Sequence, residues 1–126
     1  MIFFSGNRPS DIDPTEIVSA EWAGIARQAP EDARALMARL VLLAEGNRDL
    51  AETGDPVPDG RVPPDRLDTV RLGALVAFVI CEPQDLPGPC NVRVLGFIRR
   101  TTQTSWRETI EMMTDRLERW HADGRP

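Results

Sequence analysis

Eight consecutive residues, Ala74 to Cys81 (ALVAFVIC), carry no charged side chain and no hydroxyl or amide. A strand that is apolar at every position cannot leave one face in water, so this segment predicts a central strand covered on both faces. Its neighbours supply the partners. Arg66 to Leu72 alternates, with Val70 and Leu72 on one face and Thr69 and Arg71 on the other. Asn91 to Arg99 alternates as well, with Val92, Val94, Gly96 and Ile98 expected on one face and Arg93, Leu95, Phe97 and Arg99 on the other. Short connections, broken at Gly73 and across the proline-bearing stretch Glu82 to Pro89, predict an antiparallel meander.

Cover for that sheet comes from amphipathic segments. Asp13-Pro14-Thr15-Glu16 reads as a helix start, and Val18, Trp22, Ile25 and Ala29 follow at helical spacing. Pro30 opens a second helix with Glu31 and Asp32 in its first turn. Ala33, Leu36, Met37, Leu40, Leu43 and Ala44 form its apolar face, and Gly46 is its expected C-terminal cap. So close a pair predicts an antiparallel hairpin. The last helix is the clearest, with a capping box at Ser105 and Glu108 and apolar residues at Trp106, Ile110, Met113, Leu117 and Trp120. Met1 to Phe4 reads as an edge strand, open to β-addition by a second copy or another chain. Residues 47–65 form a proline-rich loop. The fold class is α+β: a helical hairpin and a C-terminal helix packed on a small, mostly antiparallel sheet, in one domain spanning the 126 residues.

Composition excludes some chemistry. All 15 basic residues are arginine, and there is no lysine and no tyrosine, so a lysine base or a tyrosine hydroxyl is ruled out. One histidine and two cysteines cannot build a multi-histidine or four-cysteine metal site, so no metal or cofactor is expected. With no leader and no transmembrane-length run in view, a cytoplasmic location without membrane association and reduced Cys81 and Cys90 thiols are expected. The net charge of −5 argues against a surface that grips nucleic acid all round. That charge is segregated, however. Residues 45–70 hold three arginines against seven acids, whereas residues 91–126 hold seven against five.

The sharpest local feature is Phe97-Ile98-Arg99-Arg100-Thr101-Thr102-Gln103-Thr104-Ser105. Two arginines leave a strand, and hydroxyl and amide side chains lead into a helix N-terminus. Guanidinium forks and free helix N–H groups both suit phosphate. The same residues also suit a plain surface, with the arginines solvated or paired to acids of the last helix and Thr104 and Ser105 serving as caps. Trp22, Trp106 and Trp120 lie on apolar stripes, where packing is expected rather than base stacking.

The stretch Val94 to Glu111 (VLGFIRRTTQTSWRETIE) resembles the C-terminal signature of the RelE/ParE toxin superfamily, closest to its HigB-like, phage-derived branch. Ala20-Glu21-Trp22, Arg39-Leu40 with Leu43 and Gly46, Leu67 to Arg71 and Val76 to Val79 line up coarsely with the earlier elements. The resemblance implies a toxin-like component of a toxin–antitoxin system. Its relatives are ribosome-dependent mRNA endoribonucleases that need no metal, or gyrase inhibitors, and each is held by an antitoxin. It implies phosphate and transition-state contacts from Arg71, Arg99 and Arg100, and substrate binding by Thr101, Gln103 and Thr104. Asp68 and His121 are the weaker candidates for acid–base work. Asp68 otherwise faces solvent or pairs with Arg66, and His121 otherwise sits on the surface at a helix end. The chain departs from the pattern where Ser105-Trp106 stands for a Thr-Pro, and where arginines, which make poor bases, stand for lysines. The alternative is a non-catalytic protein-interaction module on the same fold, a degenerate toxin or a gyrase-inhibitor-like binder. If Arg71, Arg99 and Arg100 converge, the nuclease reading gains; if they splay apart or are neutralised, the module does.

Overall fold

The computed structural model describes residues 2–4, 17–54, 57, 60–63, 65–84 and 86–122. The expected helix start at Asp13 to Glu16 lies outside them. In chain order the elements are β1 (Ile2–Phe4), α1 (Ile17–Gln28), α2 (Pro30–Ala44), a 3-10 turn (Arg48–Leu50), β2 (Glu52–Thr53), β3 (Asp68–Leu72), β4 (Leu75–Glu82), β5 (Asn91–Arg99) and α3 (Trp106–Ala122). The architecture is α+β. The sheet order is β1-β5-β4-β3-β2, antiparallel throughout except for β1, which runs parallel to β5.

The apolar run of β4 is buried along its length and serves two cores at once. Leu75, Ala77, Val79 and Cys81 face α1 and α2, where they meet Val18, Ile25, Leu36, Leu40 and Leu43. Val76, Phe78 and Ile80 face α3, where they meet Ile110, Met113, Leu117 and Trp120. The helices thus lie on opposite faces of the sheet. Two threonines sit inside α3 without leaving a bare hydroxyl: Thr109 Oγ1 donates to the Ser105 carbonyl and Thr114 Oγ1 to that of Ile110.

The alternation expected for β5 holds only for its first half. Phe78 pairs with Gly96 and Val79 with Val94, so Leu95 is an extra residue in a β-bulge. One inserted residue reverses the parity of all that follow. Val92 and Val94 share a face as expected, the one toward the hairpin, but Phe97 joins them there, while Leu95 and Ile98 pack toward α3. Gly96 also lies against α3: a Cβ on it would overlap the Met113 Cε and Sδ atoms and come within 2.6 Å of Arg116 Nη1. The missing side chain lets α3 approach the strand this closely.

Gly46 ends α2 as expected. Its φ of +121° is open to glycine, and its N–H donates to the Leu43 carbonyl. The loop after it is partly structured. β2 pairs with β3, and Arg61 donates to Asp115 at 2.5 Å and to Glu118 at 3.2 Å, so this part of the loop is tied to α3.

Cys81 and Cys90 are buried on the hairpin face and are not joined in a disulfide, and the Cys90 thiol donates to the Leu43 carbonyl. Burial pushes the Cys81 thiol up to about 12, and the Cys90 thiol beside it adds to the shift. In the unfolded chain Cys81 would ionise near 9.0, so between these values the folded state holds the extra proton. Stability from this thiol is full below pH 9 and falls as pH rises, by about 1.4 kcal/mol per pH unit. With no lysine and no tyrosine in the chain, few other side chains titrate in that window. Urea denaturation between pH 8 and 11 should therefore show the decline clearly, and Cys81→Ala should flatten it.

Candidate functional site

At the hairpin end of β3 and β4, Trp106 opens α3. Its ring packs on Phe78 with centroids 5.5 Å apart. Two guanidiniums lie over the same ring: Arg100 Cζ is 4.5 Å from its centroid and Arg71 Cζ 5.2 Å. Strand geometry brings them there. Arg71 pairs across the sheet with Val76, and Val76 pairs with Ile98, two residues before Arg100. The Arg100 N–H donates to the Ala74 carbonyl in the β3–β4 turn. Arg71 and Arg100 therefore converge, and a tryptophan expected only to pack is what gathers them.

Arg99 does not join them. It pairs with Leu75, whose side chain faces α1 and α2, so alternation turns Arg99 to the opposite face from Arg100. Its side chain is exposed and makes no ion pair among the described residues. Arg39 of α2 adds a fourth guanidinium at this end, donating from Nη1 to the Arg71 carbonyl at 3.2 Å. The acids expected to compete are engaged elsewhere or stand apart: Glu111 pairs with Arg107 and Asp68 with Arg66. Glu52 of β2 is the carboxylate nearest Arg71, 3.8 Å from its Nε. That distance is within an ion pair but too long for a hydrogen bond, and Arg71 Nε is buried without a hydrogen-bond partner.

The turn residues are committed to their own turn. The Thr101 N–H donates to Thr104 Oγ1 at 2.8 Å, the Gln103 N–H to Thr101 Oγ1 at 3.2 Å, and the Thr104 N–H returns to the Thr101 carbonyl. The Ser105 hydroxyl accepts the Glu108 N–H and caps α3. Thr101 and Thr104 thus shape the link between β5 and α3, and the Gln103 side chain is exposed beside it.

Neither weaker candidate reaches this cluster. Asp68 is buried rather than facing solvent. It accepts from Arg66 Nε at 3.1 Å and lies toward the other face of β3 from Arg71. His121 stands in the last turn of α3, its Nε2 hydrogen-bonded with Asp65 Oδ2 and its ring edge-on to Trp120. It lies about 22 Å along α3 from Trp106. The far end of α3 repeats the arginine-on-tryptophan motif with a different balance. Arg93 lies 5.6 Å over Trp120 but is ion-paired to Glu82 at 2.8 Å. At the Trp106 end the nearest carboxylate, Glu52, stands 3.8 Å from Arg71 Nε, a looser ion pair than that of Arg93 with Glu82.

No signal in the sequence marks Glu52 or Arg39 as part of this cluster, because both arrive from distant elements. No described helix is long and apolar enough to cross a membrane. Compared with protein-family models, with curated proteins and with solved structures, the chain gives no match.

Proposed function

We propose that the chain is a toxin-like protein of the RelE/ParE kind that binds single-stranded RNA at Trp106, with Arg71 and Arg100 as the phosphate clamp. The observation that carries this reading is the convergence of the two guanidiniums on one ring, with Arg71 Nε buried and making no hydrogen bond. A preorganised guanidinium pair holds a phosphodiester bidentately and offsets the charge that builds on it during in-line attack by a 2′-OH. The attack also needs a proton acceptor. Arginine stays protonated, so the carboxylate of Glu52 is the group placed for that role. An antitoxin would silence the protein by covering this end of the sheet, and the ribosome would present the mRNA.

A second reading rests on a specific observation. Asp68 and His121, the acid–base candidates in the sequence, both lie away from the arginines. On that reading the surface binds without cutting. Inducible expression separates the two. Growth arrest with mRNA cleavage, lost in Arg71→Ala/Arg100→Ala and retained in Arg99→Ala, is the result expected of a nuclease. RNA binding without cleavage leaves the module. Harmless expression of a protein that binds no RNA would sink both.

A further inference from the structure

A second site lies on the hairpin face, toward the end of β3 and β4 away from Trp106. A cavity of about 360 Å³ is lined there by Arg48, Arg66, Asp68 and Cys81 among its polar groups, with Ala51, Leu86 and Pro87 as apolar wall. The Asp68 side chain is only 4% exposed. An ionised carboxylate offers about four acceptor positions, and among the described residues only Arg66 Nε donates to this one. Burial raises its pKa even against the opposing pull of Arg66 and Arg48. A buried charge so sparsely bonded calls for further donors. Arg48 presents the opposite character. Its Nε donates to the Gly88 carbonyl at 2.9 Å and its Nη2 to that of Pro83 at 2.8 Å, which fix the guanidinium and leave Nη1 with no partner among the described residues.

We infer that this cavity binds a small zwitterion of the α-amino acid type, its ammonium group on Asp68 and its carboxylate on Arg48. The pairing follows from the charges. A simple anion would gain Arg48 but leave Asp68 as sparsely bonded as before. A simple amine would gain Asp68 but face two guanidiniums. A ligand with both ends satisfies both groups, and the apolar wall suits an aliphatic side chain. The Cys81 thiol stays protonated at neutral pH, so the site binds and does not form a thioester or other adduct.

Isothermal titration of the unmodified protein with L-leucine, 4-methylpentanoate and 3-methylbutylamine tests this directly, because the two analogues each lack one charged end. L-leucine should bind saturably, and each analogue at least about 10-fold more weakly, the loss expected when one charged hydrogen-bonding partner is removed. Arg48→Gln and Asp68→Asn should each weaken L-leucine by a similar factor, while Arg100→Ala should leave it unchanged. No saturable heat from L-leucine at about 10 mM overturns the proposal. So does 4-methylpentanoate binding as tightly as L-leucine, which would mark an anion site alone. The analogue series needs no variant to fold.

Discussion

Glu21→Ala will lower the stability of the fold by about 3 kcal/mol. β1 is short, and its pairing with β5 ends at Phe4 opposite Val94. Beyond that point the edge of β5 has no strand beside it among the described residues. Its next groups are met by side chains instead. The Phe97 N–H donates to Glu21 Oε1 at 3.1 Å, and Arg116 Nη1 donates to the Leu95 carbonyl at 2.9 Å. Glu21 and Arg116 also bind each other in a fork, with both nitrogens 2.9 Å from the carboxylate oxygens. Glu21 comes from α1 and Arg116 from α3, on opposite faces, so this pair clasps the two helical layers over the open edge. About four-fifths of each side chain is out of solvent. Removing the carboxylate strands a largely buried guanidinium and the Phe97 N–H together. Arg116→Met should cost less, because it leaves a carboxylate that still accepts the Phe97 N–H. The double variant Glu21→Ala/Arg116→Met should lose less than the two single changes combined, with a coupling of at least about 1 kcal/mol. Urea denaturation of the four proteins measures it, and additive single effects would mean that the clasp contributes nothing as a pair.

The elements that could be read from the sequence are those whose signal is local. The unbroken apolar run of β4 named a strand buried on both sides, and the stripe from Ile110 to Trp120 named the buried face of α3. The features that could not be read depend on partners far along the chain. The bulge at Leu95 is set by how β5 must meet both β4 and Met113, and nothing in Val92 to Ile98 reveals it. The parallel pairing of β1 with β5 and the clasp at Glu21 join residues more than 70 positions apart. The candidate site was half legible for the same reason. Arg99 and Arg100 look equivalent in sequence, but strand alternation sends them to opposite faces. Trp106 looks like one more apolar position, but the end of a helix stripe is also where its ring can emerge and collect charge.

That double role gives Trp106→Ala a large and unusual signature. The substitution keeps every arginine and removes the ring that holds Arg71 and Arg100 4.5–5.2 Å above it. Both guanidiniums then regain side-chain freedom that binding must again restrict. Affinity for a short unpaired RNA should fall about 100-fold through the lost orientation of two guanidiniums alone, since the ring already packs on Phe78 and carries both of them. The salt dependence should barely change, since the same charges remain. Arg71→Ala/Arg100→Ala should lose a similar affinity by another route. With two phosphate contacts gone, the slope of log affinity against log salt should shrink by about 1.4. Trp106→Phe retains a ring over Phe78 and should recover most of the binding. Filter binding at several salt concentrations reads all three variants. If Trp106→Ala instead flattens the salt slope as the double arginine variant does, the ring is not positioning the clamp but only supporting the fold beneath it.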